Sequence, residues 1–238
     1  MADKVQRLRL TFARDDDARY LSHLDVMRMW ERALKRAGLP LAYSEGFSPR
    51  PRIAVAAPLA VGVTSEAELI ELLTVERLPL ARLLDEVPTQ LPSGFRLLDV
   101  QEVAMGHPSV QSMVRVATYD VEVTDVRDAE AWRAAITDLL ARETIPWQHT
   151  RGDELREYDL RPLVLDVSLT VSAQAGTGPD IALLCMRLRN DSSGSGRPEQ
   201  VARALGVEAP PLRIHRTGLE LEEPQIAREA YRAAGRRD

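Results

Sequence analysis

The chain has 238 residues, of which 45% are hydrophobic, and its formal net charge is −5. This length fits one large domain or two smaller ones, and the apolar content excludes a wholly disordered chain. The sequence starts with charged residues and lacks an apolar run of about 20 residues, so we expect a cytoplasmic protein without a signal peptide or membrane span.

Cysteine usage limits the chemistry of the chain. Cys185 is the single cysteine, which excludes an intramolecular disulfide, an iron–sulfur cluster held by several thiolates and a multi-cysteine zinc site. Its apolar surroundings predict an inert thiol in the core. Carboxylates such as Asp25, Glu45 and Asp159 show no ligand spacing, so we predict that the chain holds no metal or cofactor of its own.

The first half of the chain alternates strand and helix patterns. An apolar and basic alternation at residues 5–12 is typical of a half-buried strand. The elements that follow are a helix ending at Gly38, two strands, a short helix and a strand, at residues 22–38, 52–59, 66–75, 79–87 and 95–103.

The second half repeats this order with one strand added. We predict strands at residues 114–124, 145–151, 161–172, 180–189 and 211–221, and helices at 128–143 and 197–206.

Two consecutive β-α-β-β-α-β patterns predict an α+β fold with two tandem ferredoxin-like domains and antiparallel sheets. We expect the domains at residues 1–105 and 113–222, with the boundary at 105–112. Residues 223–238 would form a tail.

The first long helix separates an apolar face from a basic face. Ser22 is a good N-cap, and Asp25 follows at the spacing of a capping box. At about 100° per residue, the apolar face holds Val26, Trp30, Ala33, Leu34 and Ala37. The basic face holds Arg28, Arg32, Lys35 and Arg36. This face is either a solvated surface or a stripe that follows a phosphate backbone.

The segment "YSEGFSPRPRI", residues 43–53, joins this helix to the next strand. Gly46 gives it conformational freedom, while Pro49 and Pro51 stiffen it. The segment would display aromatic and basic groups that suit a base and a phosphate, namely Tyr43, Phe47, Arg50 and Arg52. The alternative is a structural turn whose Phe47 fills the core.

Few residues are candidates for a catalytic general acid or general base. His23 and His215 are the histidines that a metal-independent nuclease would use, with Tyr43 or Tyr158 assisting. His23 is also compatible with a purely structural role at the start of its helix.

Two further arginines lie in distinctive contexts. Arg161 precedes an apolar strand, where Asp159 could hold its guanidinium group, and Arg216 alternates with His215 along the last strand. We count Arg161 and Arg216 among the candidate binding residues.

Residues 20–68 contain the runs "LSHLD" and "GFSPRP". Through these runs the chain resembles the radical SAM-linked protein family, a bacterial family of unknown function encoded beside, or fused to, a radical SAM protein. The resemblance implies a partner enzyme that carries a [4Fe–4S] cluster and S-adenosylmethionine. It implies neither group for this chain. It also suggests RNA or ribosome biology, through the family's gene neighbourhood.

Three functions follow from these observations. The first is an accessory protein without catalytic activity of its own, which binds RNA or a ribosomal component for the radical SAM partner. The second is the metal-independent RNA-processing nuclease. The third is a protein-binding scaffold whose acidic second half docks onto a basic partner.

Overall fold

The computed structural model describes residues 4–125, 127–151, 154–173 and 181–222. Contacts divide the chain into a first unit, Met1–Val114 with Glu220–Asp238, and a second unit, Arg115–Leu219. Residues 220–222, which the sequence pattern assigns to the second domain, therefore group with the first unit. The predicted tail at 223–238 lies outside the described residues.

Every element predicted for the first half is present. The elements are β1 (Gln6–Arg14), α1 (His23–Arg36), β2 (Ile53–Val55), β3 (Thr64–Thr74), α2 (Leu80–Glu86), β4 (Phe95–Val103) and the short α3 (Val110–Met113). The pattern did not predict α3, which falls within the expected boundary segment.

The sheet of the first unit has the strand order β4–β1–β3–β2, and all three pairings are antiparallel. Leu8, Leu10 and Phe12 alternate along β1 and are buried. The Phe12 ring meets the Trp30 ring of α1 edge-on at a centroid distance of 4.9 Å. Burial of these aromatic and aliphatic groups holds α1 against one face of the sheet.

The second unit contains the predicted elements together with two strands that the pattern missed, β7 and β10. The elements are β5 (Val114–Thr124), α4 (Ala129–Ala141), β6 (Pro146–Arg151), β7 (Glu154–Asp159), β8 (Val164–Ala173), β9 (Ile181–Asp191), β10 (Gly194–Ser195), α5 (Pro198–Ala204) and β11 (Arg213–Leu221).

In the second unit, β9 pairs with β5 and with β8, and β5 neighbours β11, which gives the order β11–β5–β9–β8. Strands β6 and β7 form a separate two-stranded hairpin. Trp132 of α4 and Leu184 of β9 are fully buried in one core. The protein is thus a mixed α+β structure whose sheets are mostly antiparallel.

Cys185 differs from its predicted place in the core. Ala182, Leu184, Met186 and Leu188 face the core along β9, and Cys185 lies on the opposite, half-exposed side. The period of two along a strand explains the difference, since a residue between two core positions points away from the core. Among the described residues, no helix is both long and apolar enough to cross a membrane.

Candidate functional site

Helix α1 separates its two faces as the sequence predicts. The Ser22 side chain accepts a hydrogen bond from the Asp25 N–H at 3.2 Å, which caps the helix, and the Ser22 hydroxyl donates to the Asp25 carboxylate at 2.6 Å. This hydrogen bond, together with Arg28 and Arg32 nearby, lowers the pKa of Asp25. The predicted apolar residues of the helix are all buried.

The opposite face of α1 is exposed and cationic. Its basic residues are Arg28, Arg32, Lys35 and Arg36, which are all exposed. Arg28 reaches Asp25 at 3.8 Å. Within the described parts of the chain, the other three cations have no carboxylate partner. Arginines elsewhere in the first unit, such as Arg77 and Arg82, form ion pairs with carboxylates.

The loop at residues 43–51 closes as a short two-stranded stem. Tyr43 and Pro51 form an antiparallel bridge, and the Ser44 N–H donates to the Arg50 carbonyl at 2.8 Å. The backbone around the stem pairs with β3, because the Leu73 N–H donates to the Arg52 carbonyl at 3.2 Å. The loop therefore has an anchored base, and its apex lies at residues 45–49.

Phe47 projects from that apex. Its relative exposure is 107%, so the side chain touches almost nothing. Gly46 permits this geometry because its φ of +116° lies in a region that side chains disfavour. The interpretation of Phe47 as a core residue is wrong: its side chain is fully exposed at the apex of the paired stem, and Phe12, Trp30 and Phe95 occupy the core instead.

The loop and α1 meet at one contact. Lys35 Nζ lies 5.6 Å from the centroid of the Tyr43 ring, within the range of a cation–π interaction. Arg50 is exposed and Arg52 half-buried, and neither guanidinium has a carboxylate partner among the described residues. We define the basic–aromatic surface as the exposed side chains Arg28, Arg32, Lys35, Arg36, Tyr43, Phe47 and Arg50, together with the half-buried Arg52 that follows the loop.

The histidine candidates lie in different units, His23 in the first and His215 in the second. His23 is exposed and borders a recess of about 10 Å³ with Arg14 and Glu68. That volume is too small for a substrate. The Arg14 guanidinium donates to three backbone carbonyls, including that of Leu21 at 2.6 Å, and so orders the turn that precedes α1.

Arg161 and Arg216 are not part of the basic–aromatic surface. The Arg161 guanidinium donates to the carbonyls of Leu140, Arg142 and Val164, which caps the C-terminal end of α4. Asp159 does not hold that guanidinium. It accepts hydrogen bonds from the backbone N–H groups of Ile145 and Arg161 instead, because backbone donors lie closer.

Arg216 has a relative exposure of 1%, so its side chain is enclosed in the protein. In the described part of the chain, no group of three or more histidine, cysteine, aspartate or glutamate side chains is arranged to hold a metal ion.

The sequence pattern missed one polar group in the first unit. Arg7 and Arg9 were expected on the solvent face of a half-buried strand, but both are buried and form ion pairs with Glu71. The sequence signal that could have predicted this buried ion-pair group was Glu71, a carboxylate between apolar residues of β3.

These features define an α+β protein with an exposed basic and aromatic surface on its first unit. The chain belongs to the DUF2344 family, described as an uncharacterized protein conserved in bacteria, and the match covers residues 7–198. That description names no partner enzyme. Among curated proteins, none matches the sequence.

Three solved structures show a distant likeness. A Cbf5–Nop10–Gar1 complex is 12% identical with a TM-score of 0.47, over 88% of this chain and 48% of that chain. An H/ACA RNP bound to a substrate RNA containing 2′-deoxyuridine is 11% identical with a TM-score of 0.42, over 87% and 46%. An unknown protein from Galdieria sulphuraria is 14% identical with a TM-score of 0.26, over 84% and 89%.

The chain spans about half the length of the first two of these chains. All three TM-scores lie below 0.5.

Proposed function

We propose that the protein is an accessory factor that binds single-stranded RNA through the basic–aromatic surface and presents it to a radical SAM partner. The observation that carries the RNA-binding proposal is the complete exposure of Phe47 at the apex of an anchored loop. The fold gains no stability from such a ring, so binding is the better explanation for its position.

The chemistry of the surface suits a single strand. A base stacked on an aromatic side chain contributes about 1–3 kcal/mol, and every base offers a face for stacking. Lys35 lies beside the Tyr43 ring, and Arg32 and Arg50 are exposed on the same helix and in the loop. None of the three has a carboxylate partner in the described residues, so they are available for phosphates. A duplex would keep its bases stacked and away from Phe47.

The proposal includes two ferredoxin-like units. The strand order is β4–β1–β3–β2 in the first unit and β11–β5–β9–β8 in the second, without the β6–β7 hairpin and the short β10. If the four strands of each unit are numbered in chain order, both sheets have the order 4-1-3-2. That order, with helices after the first and third strands, supports the split β-α-β arrangement.

The partner enzyme rests on the sequence resemblance at residues 20–68. The protein would supply the RNA, and the partner would supply S-adenosylmethionine and the [4Fe–4S] cluster. Co-purification of this chain with a candidate radical SAM protein from the same bacterium tests that part. Recovery of both proteins in one complex supports the association, and separate elution of the two purified proteins contradicts it.

RNA binding is tested by fluorescence anisotropy with a short, labelled single-stranded RNA at several salt concentrations. For single strands, the logarithm of the binding constant falls with the logarithm of salt concentration by about 0.7 per neutralised phosphate. The double variant Arg32→Ala/Lys35→Ala should bind more weakly, and its slope should be smaller by about 0.7 for each phosphate that it no longer neutralises.

The matched control is Arg133→Ala, which removes an exposed arginine from α4 of the second unit. It should leave affinity and slope unchanged. Equal weakening by both variants, or the lack of saturable RNA binding, would contradict the proposal. Cleavage of the RNA that is abolished in His23→Ala would support the nuclease instead. Binding of a basic protein without binding of RNA would support the scaffold.

A further inference from the structure

The back face of the first unit's sheet, opposite α1, buries an excess of positive charge. Arg7 and Arg9 have relative exposures of 9% and 8%, and both bind Glu71. Arg7 Nε donates to one Glu71 oxygen at 2.9 Å, and Arg9 Nε and Nη2 donate to the other at 2.9 and 2.8 Å. One carboxylate therefore serves two guanidinium groups.

Backbone carbonyls satisfy further donors of Arg7. Its Nη1 donates to the His107 carbonyl at 2.5 Å, and its Nη2 donates to the Pro108 carbonyl at 2.6 Å and also to Glu71. Four of the five N–H groups of Arg7 are thus used, and one on Nη1 remains. Among the described residues, no second carboxylate binds either arginine. A buried charge without a counter-charge is costly, so an anion beside Arg7 would be favoured.

A cleft of about 330 Å³ opens beside this group. Its polar lining includes Arg7, Arg52, Glu71 and Ser109, and Ala54 and Leu73 are apolar. Ile53 and Leu72 also border the cleft, but their side chains belong to the core on the α1 side of the sheet. Leu73 pairs with Arg7 on one side, and its N–H donates to the Arg52 carbonyl on the other. The two arginines therefore lie in one row across the sheet, with Leu73 between them.

Arg52 has donors to spare. Its Nε makes a long hydrogen bond of 3.4 Å to the Tyr43 carbonyl, and its terminal N–H groups have no partner in the described residues. Guanidinium groups bind phosphate through paired N–H donors. The volume is at the small end of ligand pockets, and the apolar lining can accept a flat ring.

We propose that this cleft binds a nucleoside monophosphate unit, with its phosphate beside Arg7 and Arg52 and its base against Ala54 and Leu73. The choice of a nucleotide rests on the proposed RNA binding, because Arg52 belongs both to the cleft and to the basic–aromatic surface. The unit is either a free mononucleotide or the phosphate-bearing end of the bound RNA.

Isothermal titration of the full chain with AMP, adenosine and inorganic phosphate tests this site. AMP should saturate, inorganic phosphate should bind more weakly, and adenosine should not saturate. Arg52→Ala should weaken AMP binding by about tenfold or more, as expected when charge-assisted hydrogen bonds are removed. Ala54→Phe should block the cleft sterically and weaken AMP binding as well, without removing any charge.

Arg50→Ala is the matched control, since Arg50 lies two residues from Arg52 and does not line the cleft. It should leave AMP affinity unchanged while weakening the binding of RNA. Displacement of AMP by an RNA with a terminal phosphate, but not by the same RNA without it, identifies the end of the strand as the ligand. AMP that no RNA displaces identifies the free nucleotide.

The site would be overturned if AMP does not saturate, or if wild type, Arg52→Ala and Ala54→Phe bind it equally. Either result would leave the RNA proposal standing if Arg32→Ala/Lys35→Ala still weakens RNA binding. Conversely, if the protein binds AMP but not RNA, the proposed nucleotide site is supported and the proposed RNA-binding role of the basic–aromatic surface is refuted.

Discussion

Lys35 Nζ, in the last turn of α1, lies 5.6 Å from the centroid of the Tyr43 ring at the base of the loop. The two residues belong to different elements, a helix and a connector, and the contact brings them into one surface. An exposed cation–π contact contributes about 0.5–1 kcal/mol. That is sufficient to bias the loop toward α1 and to place the aromatic group of Tyr43 beside the cationic face.

Phe47→Ala should weaken binding of single-stranded RNA by about tenfold, because one stacked base contributes about 1–3 kcal/mol. The thermal unfolding temperature should not change, since the Phe47 side chain is fully exposed. Anisotropy titration and differential scanning fluorimetry measure the two quantities. Tyr20→Ala is the control, because Tyr20 is also exposed and its ring centroid lies 4.8 Å from the Arg19 guanidinium carbon. Equal decreases of affinity in both variants would refute the assignment.

Glu71→Ala should destabilise the first unit by about 3–5 kcal/mol, because it leaves Arg7 and Arg9 buried without a counter-charge. Urea unfolding followed by circular dichroism measures the change. The control is Glu86→Ala, which breaks the exposed pair with Arg82 on α2 and should cost about 0.5 kcal/mol or less. Similar costs for the two variants would show that the buried group is not strongly stabilising.

Gly94→Ala should destabilise the turn that leads into α1. A Cβ at Gly94 would lie 2.8 Å from the Ala18 backbone nitrogen, and the backbone φ of +83° is itself unfavourable for alanine. Gly62→Ala has a similar φ of +88° but open space around the new methyl group. We expect Gly94→Ala to lower the free energy of unfolding by about 1–3 kcal/mol more than Gly62→Ala does. Equal effects would mean that the turn moves to accommodate the methyl group.

Cys185 should react slowly with iodoacetamide in the folded protein at neutral pH. Burial raises the pKa of its thiol, Asp120 and Asp166 raise it further, and Arg187 opposes them in part. The thiolate is the reactive form. The folded protein should therefore be alkylated more slowly than the chain in urea, and the rate should rise only at alkaline pH. Rapid alkylation of the folded protein at neutral pH would contradict this.

The raised pKa of Cys185 also determines the sign of a pH effect on stability. A thiol whose pKa is raised on folding keeps its proton longer in the folded state, so the unfolded chain releases protons first as pH rises. The free energy of unfolding should therefore fall through the alkaline interval between the two pKa values. Urea unfolding of Cys185→Ser at neutral and alkaline pH should show that this part of the pH dependence is absent. An unchanged alkaline fall in the variant would assign it to other groups.

Much of the first unit could be predicted because local patterns and tertiary structure agree. The period of α1 places Trp30 in the core, and the glycine and prolines of the loop favour a stiff connector between Tyr43 and Pro51. The exposure of Phe47 could not be decided from sequence. It depends on the tertiary contacts of the loop, such as the pairing of its base with β3, and an aromatic residue in a loop is compatible with either outcome.

The features that the sequence did not predict depend on long-range contacts. Arg7 was expected in solvent because alternation along a strand does not show whether a distant segment covers its second face. In the structure the segment at His107 and Pro108 does so, and its carbonyls accept hydrogen bonds from Arg7. The role of Arg161 as a cap for α4 likewise required knowing where the end of that helix lies. Strand β7 was missed because its charged sequence lacks apolar alternation, and its pairing with β6 defines it.

The most direct test of the central claim is photocrosslinking of the full chain to a short single-stranded RNA that contains thiouridine, followed by tryptic digestion and mass spectrometry. Trypsin does not cut between Arg50 and Pro51, so one peptide, residues 37–52, carries both Tyr43 and Phe47. The account predicts that crosslinked nucleotide is found on this peptide and disappears at high salt. Crosslinks confined to peptides of the second unit, or none at all, would contradict it.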